Sequence, residues 1–448
     1  MIPDAWRSGE AAVLGLGRTG IAAARFLVGE GFQVYASDFS DSDKNAEALA
    51  ELRSRGVHID LGSHDLDRIA NATLVVTSPG IPPTAPPLVV AQSAGRTIVA
   101  ELDLALLALQ EIPSILVTGT NGKSTTTALI AHILNEAGSS AVAAGNIGYP
   151  LIEISQESAR PEWLVVEASS YQLHFSSFHT PRIGVLTNLS PDHLEWHGSV
   201  EAYREAKKRL FLNASSTSEW ILNGDDEAVL ELAEEVPGVR RCWSLETKSD
   251  SWFDSANETL QLGGEILLQR QQLLLLGDHN VSNALAATLA ASAVGVEPDP
   301  IARGLGSFRP LKHRLEPVRE VGGVLWINDS KATNLSSTEV AVRAMSRPYV
   351  LLMGGRGKGE SYARLAPLLA PSCRAVVAYG EDATKIMTEL GNTLHVGDES
   401  TLDAAVQKAG ELVAPGEAVL LSPACASFDQ FSDFEERGEM FRSLVEAL

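Results

Sequence analysis

VTGTNGKSTTTALI, residues 117–130, is the stretch whose reading decides the fold. The apolar run Ile115-Leu116-Val117 predicts a strand, Gly119-Thr120-Asn121-Gly122 a tight turn, and Lys123 onward a helix through Leu134. A strand feeding such a loop gathers several backbone N–H groups at one point. The helix N-terminus adds positive potential there, which suits a polyphosphate. Lys123 would reach the outer phosphates and the Ser124 hydroxyl a magnesium ion. The usual loop carries a glycine where Val117 stands, so this is a short variant. The expectation is an ATP site built from Gly119, Thr120, Asn121, Gly122, Lys123, Ser124 and Thr125.

At 448 residues the chain is too long for one core, and several domains are expected. Its 35 basic and 57 acidic residues give a net charge of −22, which repels nucleic acid and anionic membrane. No basic segment followed by an apolar core opens the chain, and no run is long enough to span a bilayer. A cytoplasmic protein without nucleic-acid or membrane partners is expected. Cys242, Cys373 and Cys425 lie far apart, with no C-x-x-C, so a disulfide frame or zinc site is not expected; each reads as a small buried side chain.

Outward toward the N-terminus, the strand Ala11–Leu16 leads into G-L-G-R-T-G (15–20) and a helix, and the strand Gln33–Ala36 ends at Asp38. That pattern places a diphosphate near Gly15–Gly20, with a Rossmann-like unit without nucleotide as the lesser alternative. The strand Leu74–Thr77 ends in Ser78-Pro79-Gly80-Ile81-Pro82-Pro83, a rigid loop at a ligand-binding sheet edge or a spacer. A helix over Glu101–Gln110 joins this unit to the next, which sets a boundary near residue 101.

Beyond the phosphate loop, Asn146 tips the turn-rich A-G-N-I-G segment, and the strand Leu164–Val166 ends at Glu167. Glu167 is open to two readings, magnesium ligand or cap of the following helix. Ile183–Leu186 repeats the design and leads to N-L-S-P-D-H, ending at His193. Residues 200–212 predict an amphipathic helix with Tyr203 and Lys207 one turn apart. Lys207-Lys208-Arg209 reads by default as a solvated basic face. Asn280 and Asn283 share one side of a later helix, as caps or as contacts to a base or ribose. After a turn-rich joint near residue 309, strands at Leu325–Ile327, Val350–Met353 and Ala418–Leu421 each end in polar loops: N-D-S-K-A-T-N, G-G-R-G-K and S-P-A-C-A-S-F-D. The fold class is therefore α/β with parallel sheets: a Rossmann-like domain (1–101), a P-loop ATPase-like domain (102–309) and a second Rossmann-like domain (310–448), facing a shared cleft.

Taken in order along the whole chain, G-L-G-R-T-G, S-P-G-I, T-G-T-N-G-K-S-T, G-N-I-G, E-A-S-S-Y-Q-L, D-H, A-Y-R-E-A-K, H-N-V-S-N-A-L, H-R-L-E, N-D-S-K-A-T-N and S-P-A-C-A-S-F-D-Q-F resemble the Mur ligases, which build the peptide of the bacterial cell wall. N-D-S-K-A-T-N and S-P-A-C-A-S point within that family to addition of glutamate. The resemblance implies an ATP-dependent ligase joining D-glutamate to UDP-N-acetylmuramoyl-L-alanine through an acyl phosphate, with catalytic roles for Lys123, His193, Lys207 and Lys331. It implies two magnesium sites served by Ser124, Glu167, His193 and an N-carboxylated Lys207, and nucleotide contacts from Asn280, Asn283, Arg314 and Asp329. Gly17, Arg18, Thr19, Asp38, Ser78, Gly80 and Asn146 would hold the UDP-linked substrate. Lys331, Thr333, Lys358, Ser427 and Phe434 would line the glutamate pocket, and a monomer is expected. Two positions depart from the family pattern: Arg356 stands where an acid is common, and Phe39-Ser40 replaces a more polar pair.

Three rival classes share parts of this pattern. Folate polyglutamate synthesis is disfavoured by the roughly hundred residues preceding the phosphate loop. A scaffold with a decayed nucleotide site is disfavoured by the joint presence of Lys123, Glu167, His193 and Lys207. An NAD-dependent oxidoreductase rests on the glycine fingerprint alone.

Overall fold

The computed structural model describes residues 2–41, 45–391 and 396–448. It divides into two compact units, Met1–Arg270 with Ser282–Gly306 and Gln271–Val281 with Ser307–Leu448.

The first unit holds two sheets. β1 (Glu10–Leu14), β2 (Gln33–Asp38), β3 (His58–Leu61), β4 (Leu74–Thr77) and β5 (Thr97–Ala100) form a parallel sheet in the order β3-β2-β1-β4-β5. The second sheet comprises β6 (Ser114–Thr118), β7 (Ala141–Gly145), β8 (Trp163–Glu167), β9 (Ile183–Leu186), β10 (Glu219–Asn223), β11 (Val239–Ser244), β12 (Ser251–Asp254), β13 (Thr259–Leu262) and β14 (Glu265–Gln269). Its order is β14-β13-β12-β11-β10-β9-β6-β8-β7. β6 and β9 are buried along their whole length, as expected for central parallel strands covered by helices on both faces. The expectation of parallel pairing holds through β12; β12-β13-β14 is an antiparallel meander.

The second unit carries β15 (Glu316–Val321), β16 (Val324–Asn328), β17 (Tyr349–Gly354), β18 (Cys373–Tyr379), β19 (Val396–Glu399) and β20 (Ala418–Leu421), in the order β15-β16-β20-β17-β18-β19. Only β15 runs antiparallel to its neighbour, because a two-glycine turn at Gly322-Gly323 returns the chain directly. Among the described residues no helix is long and apolar enough to cross a membrane. Cys373 and Cys425 are buried as expected, whereas Cys242 is partly exposed.

The helix Glu101–Ala108 joins the first sheet to the second and is held by its acids. Glu101 Oε1 accepts a hydrogen bond from the Ile152 amide at 2.8 Å. Asp103, fully buried, accepts from Ser176 Oγ at 2.5 Å and from the Ser177 amide at 2.6 Å. Burial pushes the Glu101 carboxyl from its ordinary 4.5 up to about 7, against the lowering effect of the Ile152 amide. The folded chain then holds a proton there that the unfolded chain releases between about pH 4.5 and 7. The contribution is fully present below that window and lost as pH rises through it, up to about 3 kcal/mol. The melting temperature should therefore fall from pH 5 to pH 8, and fall less steeply in E101Q. Parallel slopes in a thermal-denaturation series would contradict this role.

Candidate active site

The phosphate loop lies where its sequence predicts, between β6 and the helix Lys123–Glu136. Gly119 has φ +145°, and a Cβ there would meet Thr187 Oγ1 at 2.0 Å. Gly122 starts the helix at φ +82°, and a Cβ would meet Asn283 Oδ1 at 2.3 Å. Both glycines are thus required twice, by conformation and by close approach. The loop is sewn to the segment after β9. Thr120 N donates to Asn188 O and Asn121 N to Asn188 Oδ1, each at 2.9 Å, while Thr187 Oγ1 donates to Asn121 O at 2.6 Å. Thr120 Oγ1 also meets Ser190 O at 3.0 Å and the Tyr203 hydroxyl at 2.8 Å. Lys123 Nζ donates to Thr120 O at 2.6 Å, and Ser124 and Thr125 are buried.

Lys207 comes from the helix Val200–Lys208 and is 1% exposed, beside an exposed Lys208. The solvated-face reading of this basic trio therefore fails at Lys207, because that residue faces the loop rather than solvent. Its Nζ donates to Thr118 Oγ1 at 3.0 Å and to Gly119 O at 2.8 Å. Burial, reinforced by the charge of Lys123, holds this amine well below the usual lysine range, although Glu167 and Asp192 pull the other way.

Glu167 is buried at the end of β8. Its Oε1 accepts from Asn146 Nδ2 at 2.8 Å, and its buried Oε2 has no hydrogen-bond partner. The capping alternative is removed: the helix Ser170–His174 is capped by Ser169 through a reciprocal box with Gln172. His193 takes a left-handed φ of 53° and lies 3.4 Å from Asp192 and 4.9 Å from the Tyr171 ring centre. Among the described residues no three His, Cys, Asp or Glu side chains cluster as a ready metal site. Asn283 Oδ1 accepts from Thr126 Oγ1 at 3.2 Å, whereas Asn280 Nδ2 donates to Leu276 O at 2.7 Å.

On the first sheet, the edge at β1 and β4 holds a cavity of about 900 Å³ lined by Gly15, Gly17, Thr19, Asp38, Ser78 and Gly80 among others. Asp38 Oδ2 accepts from the Leu16 amide at 2.6 Å and Oδ1 from the Ser40 amide at 2.8 Å, fixing the glycine loop. Ser78 Oγ donates to Gly15 O at 3.1 Å, and Arg18 reaches Gly148 O at 2.6 Å in the loop that carries Asn146. Arg18 thus ties the glycine loop of the first sheet to the segment that follows Asn146.

In the second unit, the loops after β16, β17 and β20 converge on Arg437, a buried cation that the sequence reading missed. Its Nε donates to Ser330 Oγ at 3.0 Å, Nη2 to Ser330 O at 2.8 Å, and Nη1 to Cys425 O at 3.1 Å and Gly354 O at 3.4 Å. Four acceptors and no ion pair among the described residues stabilise it. Lys331 Nζ sits 5.0 Å over the Phe434 ring. Thr333 N donates to Lys331 O at 2.9 Å, Ser427 is buried, and Lys358 is exposed. Arg356, the departure noted above, is paired with Glu381 at 2.9 Å. Burial pushes Asp329 up to about 7; Ser422 Oγ (2.9 Å) and the Leu315 amide (3.1 Å) donate to it. Arg314 lies between two left-handed residues, His313 and Leu315.

Sheet edges furnished with phosphate-binding glycine loops define a nucleotide-binding α/β protein. Domain models of this class match in sequence: "Mur ligase MurD-like, N-terminal domain" over residues 9–100, "Mur ligase middle domain" over 117–291 and "Mur ligase, glutamate ligase domain" over 313–425. The chain belongs to the Mur ligase family and shares its three-domain architecture. It is 38% identical over 442 residues to a UDP-N-acetylmuramoylalanine–D-glutamate ligase of Acidobacterium capsulatum, covering 97% of this chain and 95% of that one. A protein of the same name from Salinibacter ruber is 39% identical over the full length of both chains. Among solved structures, the UDP-N-acetylmuramate–alanine ligase MurC of Thermotoga maritima shares the fold at a TM-score of 0.64 and 20% identity, covering 98% of this chain and 99% of that one. The MurF ligase of the same organism in complex with ADP does so at 0.62 and 18%, covering 98% and 96%.

The doubly constrained Gly122 gives a test. G122A adds left-handed strain of about 1 kcal/mol or more and a clash with Asn283. ATP affinity by titration calorimetry should fall at least about tenfold; an unchanged affinity would remove the loop from nucleotide binding.

Proposed function

We propose that this chain is the ATP-dependent ligase that joins D-glutamate to UDP-N-acetylmuramoyl-L-alanine in the cytoplasm, releasing ADP and phosphate. Its full-length relation to ligases bearing that name carries the reading. The carboxylate of the UDP-linked alanine attacks the γ-phosphorus of ATP, ADP leaves, and an acyl phosphate forms. The neutral glutamate amine then attacks the acyl carbon; phosphate departs as the amide forms and the nitrogen gives up one proton. Lys123 and the loop amides neutralise the charge developing on the transferred phosphoryl group. Asn280, Asn283, Arg314 and Asp329 hold the nucleotide. Gly17, Arg18, Thr19, Asp38, Ser78, Gly80 and Asn146 hold the acceptor, and Thr333, Lys358, Ser427 and Phe434 the glutamate. Lys331 and Lys358 offset the mutual repulsion of two anionic substrates.

The residues fit magnesium. Glu167 offers a buried carboxylate oxygen with no hydrogen-bond partner, and Ser124 and His193 supply further donors. A neutral Lys207 amine is the form that adds CO2, making an N–C bond and releasing a proton. The resulting carbamate turns a cation that repels a metal into an anion that binds one. Ser124, Glu167, His193 and carboxylated Lys207 would thus hold the metal, which supplies Lewis-acid charge neutralisation on the phosphates.

Phosphate release should require ATP, the UDP-linked acceptor and D-glutamate together; release without either of the last two would refute the assignment. K207A should lose turnover by about a hundredfold or more and regain part of it with added short carboxylic acids that replace the carbamate oxygens. A variant as active as the parent would exclude that role.

A further inference from the structure

A smaller cavity in the first unit, of about 260 Å³, takes no part in the chemistry described above. It lies where the helix Pro86–Ser93 and β5 meet the helix Ser170–His174, and it shares no lining residue with the cavity at the β1–β4 edge. Three basic side chains line it, Arg96, His174 and Arg209, and no carboxylate does. All three are half-buried. Arg96 Nε donates to Ala70 O at 2.6 Å, and neither terminal nitrogen of its guanidinium has an acceptor among the described residues. Arg209 caps the helix that carries Lys207. Its Nε and Nη2 donate to Ser176 O at 2.8 and 2.5 Å, and Nη2 to Ser177 Oγ at 3.0 Å, which leaves Nη1 without an acceptor among the described residues. The His174 ring packs on Phe175 and Trp196, 4.7 and 5.2 Å between ring centres, and makes no hydrogen bond among the described residues. Burial, then the charge of Arg209, holds that imidazole below its ordinary pKa, so the two groups feel one another.

The chain carries 57 acidic against 35 basic residues, yet none of these three forms an ion pair among the described residues. Glu205, Glu231, Glu234 and Glu235 line a larger groove that His174 and Arg209 also border, but none of them pairs with either. The small cavity also exposes Leu88, Ile98 and Phe175. A guanidinium with spare N–H groups is a planar fork that matches carboxylate and phosphate oxygens. Apolar walls with a few polar groups among them are the usual lining of a small-molecule site. We propose that this cavity binds a small organic oxyanion, a carboxylate or phosphate ester on a compact apolar body. Arg96, His174 and Arg209 take its charge, and Leu88, Ile98 and Phe175 its body. Bound there, the anion bridges the start of β5 to the end of the Lys207 helix, away from the phosphate loop.

The test is titration calorimetry on the full chain saturated with ADP and UDP, so that neither glycine loop is open to the probes. Phenyl phosphate and benzoate are the probes, inorganic phosphate supplies the charge alone, and benzylamine supplies the same apolar body with the opposite charge. Phenyl phosphate or benzoate should bind the parent at a single site and tighter than inorganic phosphate, and the tighter of the two identifies the oxyanion. R96Q and H174Q should each weaken that probe by more than about fivefold. Their affinity for ADP, unchanged from the parent, reports an intact fold; should R96Q fail that control, H174Q decides. The site is overturned if the parent binds neither probe at millimolar concentration, if benzylamine binds as tightly as benzoate, or if a folded variant loses less than about fivefold. Inorganic phosphate binding as tightly as both probes overturns the apolar half of the proposal.

Discussion

The catalytic half of the first unit depends on one buried amine. Lys207 Nζ reaches from its helix to Thr118 Oγ1 and Gly119 O, the last strand residue and the first glycine of the phosphate loop. A charged ammonium in that place would be paid for in desolvation and in repulsion from Lys123. The same two costs favour the neutral amine over the ammonium, and a neutral amine is what the proposed carboxylation needs. The packing that anchors the loop and the chemistry assigned to the residue are therefore one arrangement.

The loop itself is stiffened from several sides. Thr187 and Asn188 hold its backbone, while Ser190 and Tyr203 hold the Thr120 hydroxyl, Tyr203 from the same helix as Lys207. These bonds order the loop before any ligand arrives, which reduces the entropy lost on binding. The second unit uses a different device. A single guanidinium gathers the carbonyls at the ends of three strands, so N-D-S-K-A-T-N, G-G-R-G-K and S-P-A-C-A-S are set in register by Arg437.

Strong local signals made much of this legible in the sequence. β4, β9 and β20 are the segments expected from their apolar runs, and the glycine loops lie at strand ends as their spacing requires. What escaped was decided by tertiary context. The meander β12-β13-β14 lacks a long apolar run because β12 and β14 are only partly buried and β13 buries Thr259 and Gln261 beside Leu260. Arg437 sits within Glu435-Glu436-Arg437-Gly438, which reads as solvated charge. Its one clue was Gly438, where a Cβ would meet His313 Nδ1 at 2.1 Å. Lys207 and Lys208 are adjacent and chemically alike, and only helical phase separates a buried amine from a surface one. Phe39 was visible as a departure, but its exposure needed coordinates.

Strand order in the second unit sets a condition on biosynthesis. β20 lies between β16 and β17, yet it follows both in sequence. On the ribosome, the edges of β16 and β17 wait for Ala418–Leu421 while dozens of residues are translated, which takes several seconds. Through that interval the nascent chain carries apolar strands with unpaired backbone, the template for off-pathway association.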